Sequence, residues 1–293
     1  MNRLQLRHLL CPMDSSPLSM NALRWANSMA RARGAELRLV HVVAAAAAMT
    51  PRQLGVLERD RHMVKLREAL ASVDSTNDRT GAAVRQGDPG AQILQFARLL
   101  PADLIVMGAA GAERPERPMG SVTATVVARS QCPVLIVPSG RRINPGAPGL
   151  FKRIVCAVDL APASVSVIRQ AVSLARETAA LVTCVCIMMD PEPSSSEIHD
   201  RLLKAIPPEA RGWCDIEVIV KRGVPAAEII RVAETSNADV LLIGPPRRWT
   251  STTQAVLARS VCPVLVTHDV RPLPYPVDKS TLSQTVPMVA SPR

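Results

Sequence analysis

Two separated stretches of this chain carry residue types that could hold an anionic ligand. An apolar run from Leu6 to Met13 ends in Asp14-Ser15-Ser16-Pro17. Far downstream a glycine-spaced stretch reads Gly108-Ala109-Ala110-Gly111, eight further residues, then Gly120-Ser121-Val122-Thr123. Glycine has no Cβ, so Gly108, Gly111 and Gly120 would let backbone amides come close to an anion. Gly120-Ser121-Val122 would open a helix, whose first N–H groups and dipole favour phosphate. The Ser121 hydroxyl adds a donor, and the Asp14 carboxylate can accept hydrogen bonds from ribose hydroxyls or an adenine amine. No Lys follows Gly120, which excludes a Walker A loop. A dinucleotide fingerprint would follow the first strand, and this loop does not.

The elements that must position these residues follow from local pattern. Short apolar runs closed by turn formers read as buried strands at Leu6–Met13, Leu37–Val43, Ala82–Arg85, Leu104–Met107 and Val134–Val137. Between them, helices are expected after Ser16 or Asp14 up to Gly34, over Thr50–Ser72, Gly90–Leu100 and from Ser121 to Ala128. Strands alternating with helices imply right-handed crossovers and a parallel sheet covered on both faces. With strand order 3-2-1-4-5 the switch point lies between strands one and four, which is where Asp14 and Gly108 end their strands.

The chain is also written twice. Leu10-Cys11-Pro12-Met13-Asp14 returns as Val155-Cys156-Ala157-Val158-Asp159, and Ala102-Asp103-Leu104 through Gly108 returns as Ala238-Asp239-Val240 through Gly244. Gln86-Gly87-Asp88-Pro89 returns as Arg222-Gly223-Val224-Pro225, and Cys132-Pro133-Val134 as Cys262-Pro263-Val264. Four blocks in one order mean a duplicated domain, with strands expected near 153–158, 181–188, 216–221, 239–243 and 263–267. Domains are therefore expected at 1–139 and 151–268, with 269–293, rich in Pro, Ser and Thr, as a flexible tail. The copies differ at the glycine loop. Copy two reads Gly244-Pro245-Pro246-Arg247-Arg248-Trp249-Thr250-Ser251, with Thr250 where Gly120 would fall and prolines that cannot donate a backbone hydrogen bond.

These motifs resemble the universal stress protein family, as a tandem member of the type named for bacterial universal stress protein A. The resemblance covers roughly residues 3–139 and 151–268. It implies two three-layer α/β/α domains, each a five-stranded parallel sheet, of the adenine nucleotide alpha hydrolase-like fold. ATP-binding members carry Gly-x2-Gly-x9-Gly-[Ser/Thr] with an Asp after strand one; here eight residues, not nine, separate Gly111 from Gly120. By that match Asp14 would hold the adenosine and Pro12 and Val42 would line the adenine. Met107 and Gly108 would flank the ribose, and Gly111, Gly120, Ser121 and Val122 would hold the phosphates. The implied ligand is ATP, accompanied by Mg, with nothing covalently bound. The resemblance also allows Ser121 as a phosphorylation site. Family members often dimerise through the last strand, so Val134–Val137 and Val264–Thr267 are expected to pair as an intramolecular pseudo-dimer, with a homodimer and an unspecified protein partner left open.

Composition narrows the remaining classes. The net charge of +10 invites nucleic acid, but the Arg residues are scattered and only 2% of residues are aromatic, so stacking platforms are scarce. The longest apolar stretch, Val42 to Met49, is too short to span a bilayer. The seven cysteines show no paired metal-ligand spacing and read as small buried hydrophobes. Free thiols without a signal peptide point to the cytoplasm. His41 reads as a packed polar tip of strand two, and His8, His62, His199 and His268 have no partners at telling spacing. There is no Ser-His-Asp set, no paired carboxylates and no evident catalytic base. Binding rather than turnover is the expected activity. Asp14 and Ser121 also fit plain helix caps, and Arg114 and Arg117 fit solvated loop charges. The alternatives are a nucleotide-free interaction scaffold and a slow ATP hydrolase.

Overall fold

Ser16, Pro17 and Gly34 bracket the first helix. The Ser16 hydroxyl accepts from the Ser19 amide at 3.1 Å, Pro17 sits in the first turn, and Gly34 closes the helix with φ +60°. This helix, α1 (Pro17–Arg33), buries Ala22, Trp25, Ala26 and Met29. The structure is a computed structural model that describes residues 6–44, 56–73, 79–110, 119–138, 151–159, 161, 164–176, 178–189, 193–245, 250–268 and 286–287.

The chain divides into two compact units, one built on residues 5–149 and the other on 150–269. The first unit carries β1 (His8–Pro12), β2 (Glu36–Val43), β3 (Thr80–Gln86), β4 (Leu104–Gly108) and β5 (Val134–Val137). Its other helices are α2 (Val56–Val73), α3 (Pro89–Leu99) and α4 (Ser121–Arg129). Neighbouring strands run in the order β3-β2-β1-β4-β5, all parallel. Right-handed crossovers then place α1 and α2 on one face and α3 and α4 on the other, and those are the helices that pack together. β1, β4 and β5 are almost wholly buried, as strands covered on both faces must be.

The second unit repeats the plan with β6 (Arg153–Val158), β7 (Leu181–Met188), β8 (Ile216–Arg222), β9 (Val240–Ile243) and β10 (Val264–Val266), ordered β8-β7-β6-β9-β10. Its helices are α5 (Ser164–Ala175), α6 (Ser195–Ala205), α7 (Pro225–Thr235) and α8 (Ser251–Arg259). The helix expected from Thr50 starts at Val56; the residues before it fall outside the described ones. Within the stretch expected to be a flexible tail, Val286–Pro287 form a two-residue strand, β11, antiparallel to β3 at Gly81 and Ala82. Among the described residues no helix is long and apolar enough to cross a membrane.

Two of the repeated blocks turn out to be clamps. Asp103 Oδ2 accepts from the amides of Arg7 (2.7 Å) and His8 (2.9 Å), pinning the start of β4 to the start of β1. Asp239 does the same with Lys152 (2.9 Å) and Arg153 (2.8 Å) in the second unit. Ser130 and Ser260 hold the turns before β5 and β10 by donating to the carbonyls of Cys132 and Cys262. Asp103→Ala is expected to cost about 1 kcal/mol, because two amides lose a charged acceptor at a partly wet edge. Urea unfolding of the full chain checks this, and an unchanged midpoint would mean that the clamp adds nothing to stability.

Candidate functional site

The parallel register of β1 with both β2 and β4 brings three strand ends to one edge of the first unit. Pro12 is the buried last residue of β1, and Asp14 lies exposed two residues beyond it. Asp14 is not the helix cap: Ser16 takes that role, while Asp14 Oδ1 accepts from the Ser16 amide at 3.0 Å. Between them Ser15 adopts φ +65°, an uncommon conformation for a residue with a Cβ. Val42 is half-buried near the end of β2, opposite Arg85 of β3. Arg85 is held there by Gln92 Oε1 at 2.8 Å and by the Phe96 ring, 5.5 Å from its guanidinium carbon.

Met107 and Gly108 end β4, buried and paired with Ile136 and Val137 of β5. Gly108 is favoured for a reason the motif did not suggest. A Cβ there would lie 3.0 Å from the Leu18 Cβ and 3.1 Å from the Leu18 carbonyl carbon, so α1 would have to give way by a few tenths of an ångström to keep its place on β4. The Gly108 carbonyl accepts from the Thr123 hydroxyl at 3.1 Å, tying α4 to the same strand end. Gly111 lies outside the described residues.

Gly120 is the N-cap of α4, in an extended conformation (φ −77°, ψ 152°) that any residue can adopt. Its amide donates to the Ala109 carbonyl at 2.9 Å, so it anchors the loop instead of facing a ligand. As glycine it supplies no side-chain cap to the helix. Ser121 is exposed and Val122 half-buried in the first turn, and their amides belong to the end of a helix whose dipole favours an anion. Leu18 against Gly108 and the Thr123 bond to the Gly108 carbonyl thus bring the start of α1 and the start of α4 to the end of β4.

The second unit has the same frame with different ends. Thr250 caps α8, its hydroxyl accepting from the Thr253 amide at 3.2 Å. Asp159 Oδ1 accepts from the Ser164 hydroxyl at 2.6 Å and from the Ala161 amide at 2.9 Å, so α5 engages this carboxylate. In the first unit the residue at the same offset is Ser19, whose hydroxyl donates to the Ser16 carbonyl at 3.0 Å. A Cβ on Gly244 would make only ordinary contact with Val167, at 3.5 Å.

His41, expected to be a packed strand tip, has a more specific place. Its Nδ1 lies 2.7 Å from the Met13 carbonyl, and its ring stacks on His62 of α2 at 4.3 Å between centroids. The available signal was its position one residue before Val42. Six of the seven cysteines are buried, and Cys132 is half-buried. Burial pushes the Cys11 thiol far up, and it pushes Cys132 up to about 11. Among the described residues no cluster of His, Cys, Asp and Glu is arranged to hold a metal.

Comparison with known proteins agrees with this architecture. The family model for universal stress proteins matches residues 5–138 and again 150–268. A universal stress protein of Methanocaldococcus jannaschii is 31% identical over 138 residues, covering 45% of this chain and 81% of that protein. Universal stress protein YxiE of Bacillus subtilis is 29% identical over 143 residues, covering 44% of this chain and 97% of that protein. The crystal structure of a universal stress protein from Archaeoglobus fulgidus shares the fold, with a TM-score of 0.72 at 19% identity over 91% of this chain and 97% of that one.

Proposed function

The chain belongs to the universal stress protein family, and from that premise we propose that its first unit binds ATP, with Mg, while its second unit binds no nucleotide. Asp14 holds the adenosine, Pro12 and Val42 line the base, and Met107 and Gly108 flank the ribose. Gly111, Ser121 and Val122 face the phosphates, and Gly120 shapes the turn that presents them. The observation that carries this reading is the contrast at the two corresponding helix starts. Gly120 leaves the first turn of α4 without a side-chain cap, whereas Thr250 fills the same place on α8 with its own hydroxyl. An uncapped turn at the switch-point crevice suits phosphate oxygens; in a capped one a donor is already engaged.

Occupancy of the first unit would then bias the protein toward whichever conformation or partner surface the nucleotide favours, in proportion to its differential affinity. The activity in this reading is binding, in a stress-response setting inside the cell. The test is to denature natively purified protein and identify released nucleotide by mass spectrometry. A single adenine nucleotide per chain, lost in Asp14→Ala, is the expected result. Two per chain would overturn the assignment of the second unit. An empty protein that also ignores added Mg-ATP in calorimetry would overturn the nucleotide reading and favour the scaffold.

A further inference from the structure

Met13 is tied to β2 at both of its backbone polar groups. Its amide donates to the Val40 carbonyl at 2.8 Å, and its carbonyl lies 2.7 Å from Nδ1 of His41. A carbonyl can only accept, so Nδ1 carries the proton and the tautomer of His41 is set. The next residue is Asp14, followed by Ser15 in its uncommon left-handed conformation. Such backbone persists where its surroundings hold it. Ser16 holds the far end through the helix cap, and His41 is the side chain that holds the near end.

The ring of His41 is itself held. It stacks on His62 with the planes 19° apart, so α2 fixes the orientation in which Nδ1 meets the carbonyl. The second unit is built differently at this place. Cys11 pairs with Leu39 and Cys156 with Cys184, so two residues further on Cys186 takes the place of His41. A thiol there has no ring to stack and no fixed donor.

We propose that His41 is a positioning residue for the crevice of the first unit: it holds the Met13 carbonyl so that Asp14 is set toward the ligand, and its stack on His62 makes that placement depend on pH. This rests on the nucleotide reading above. A positive charge on His62 is disfavoured where the His41 ring lies stacked against it. The charged and titratable groups acting on His62 are His41 from β2 and Lys65 and Glu58 from its own helix; among the described residues none comes from α1 or β1. Val84, opposite His41 on β3, brings no charge. Burial first, then His41 and Lys65, hold the His62 pKa below its ordinary 6.5, against the opposing pull of Glu58. A histidine lowered in the fold contributes stability that is present above 6.5 and is lost as pH falls from there through the folded value. The crevice therefore loosens on acidification.

The experiment is Mg-ATP titration of the full chain at about pH 7.5 and about pH 5.5, with amide NMR of Asp14 alongside. His41→Phe keeps a ring against His62 but removes the donor, and is expected to weaken binding about fivefold near neutral pH. His41→Gln can donate to the same carbonyl and should recover most of that loss. His62→Phe keeps the stack without a charge, and should bind like the parent near neutral pH with a flattened pH profile. Equal affinity in His41→Phe overturns the positioning role, and an unchanged profile in His62→Phe overturns the pH coupling. If the parent binds no Mg-ATP, the nucleotide reading fails and the Asp14 amide decides the rest. A signal that moves in His41→Phe and with acid in the parent sustains the placement, and an unmoved one overturns it.

Discussion

Gly108→Ala is expected to destabilise the first unit by about 2 kcal/mol, the range of a methyl forced into a packed interior. The added carbon would fall 3.0 Å from the Leu18 Cβ, 3.1 Å from its carbonyl carbon and 3.2 Å from its carbonyl oxygen. Two of those three atoms are backbone, so relief requires α1 to shift as a unit and not a rotamer change. Because Leu18 lies in the first turn of α1, that shift also moves Ser16 and Asp14, and nucleotide affinity should drop together with stability. The paired control is Gly244→Ala, where the new carbon meets only the Val167 Cγ2 at 3.5 Å. That change should stay within about 0.5 kcal/mol. Hydrogen exchange of peptides from each unit during urea unfolding separates the two effects. Equal cost at both positions would mean that the close approach of α1 to β4 does not set the glycine requirement.

Gly120→Thr is expected to lower Mg-ATP affinity at least about tenfold while leaving the fold intact, since one charge-assisted bond to phosphate is worth about 1.5–3 kcal/mol. The backbone at 120 (φ −77°, ψ 152°) accepts threonine without strain, and Thr250 at φ −83° and ψ 158° already shows how that side chain closes the equivalent turn. Its hydroxyl would accept from the Thr123 amide as Thr250 does from Thr253. A cap of this kind changes stability relative to glycine by only about a few tenths of a kcal/mol, and in the favourable direction. Stability and binding therefore move oppositely, which a general loss of folding cannot imitate. Calorimetry with Mg-ATP and a thermal melt on the same sample read both. Undiminished affinity with a stabilised helix would show that the phosphates do not sit at α4.

Much of this arrangement is legible in the order of the amino acids. The five strands of each copy follow from apolar runs and turn residues, and an order of 3-2-1-4-5 puts the ends of strands one and four, with Asp14 and Gly108, at the switch point. The duplication itself exposes the difference between Gly120 and Thr250, because equivalent positions can be compared within one chain. The aspartates Asp103 and Asp239 are visible as repeats, but their clamp on the start of β1 and β6 is not, since its partners lie 96 and 87 residues away.

What the sequence determined by itself is everything written in local period and repetition: element type, the duplication, the family, and which copy keeps its glycines. What only the tertiary structure decided is which atoms meet across elements. Gly108 is glycine because Leu18 arrives from α1, Gly120 commits its amide to Ala109, and His41 holds Met13 because β2 lies against β1 while α2 brings His62 over it. The physical reason is the same in each case. Side-chain direction along one element is periodic and can be read from spacing, whereas a contact between elements depends on how two surfaces close on each other, and no spacing within either of them encodes that distance.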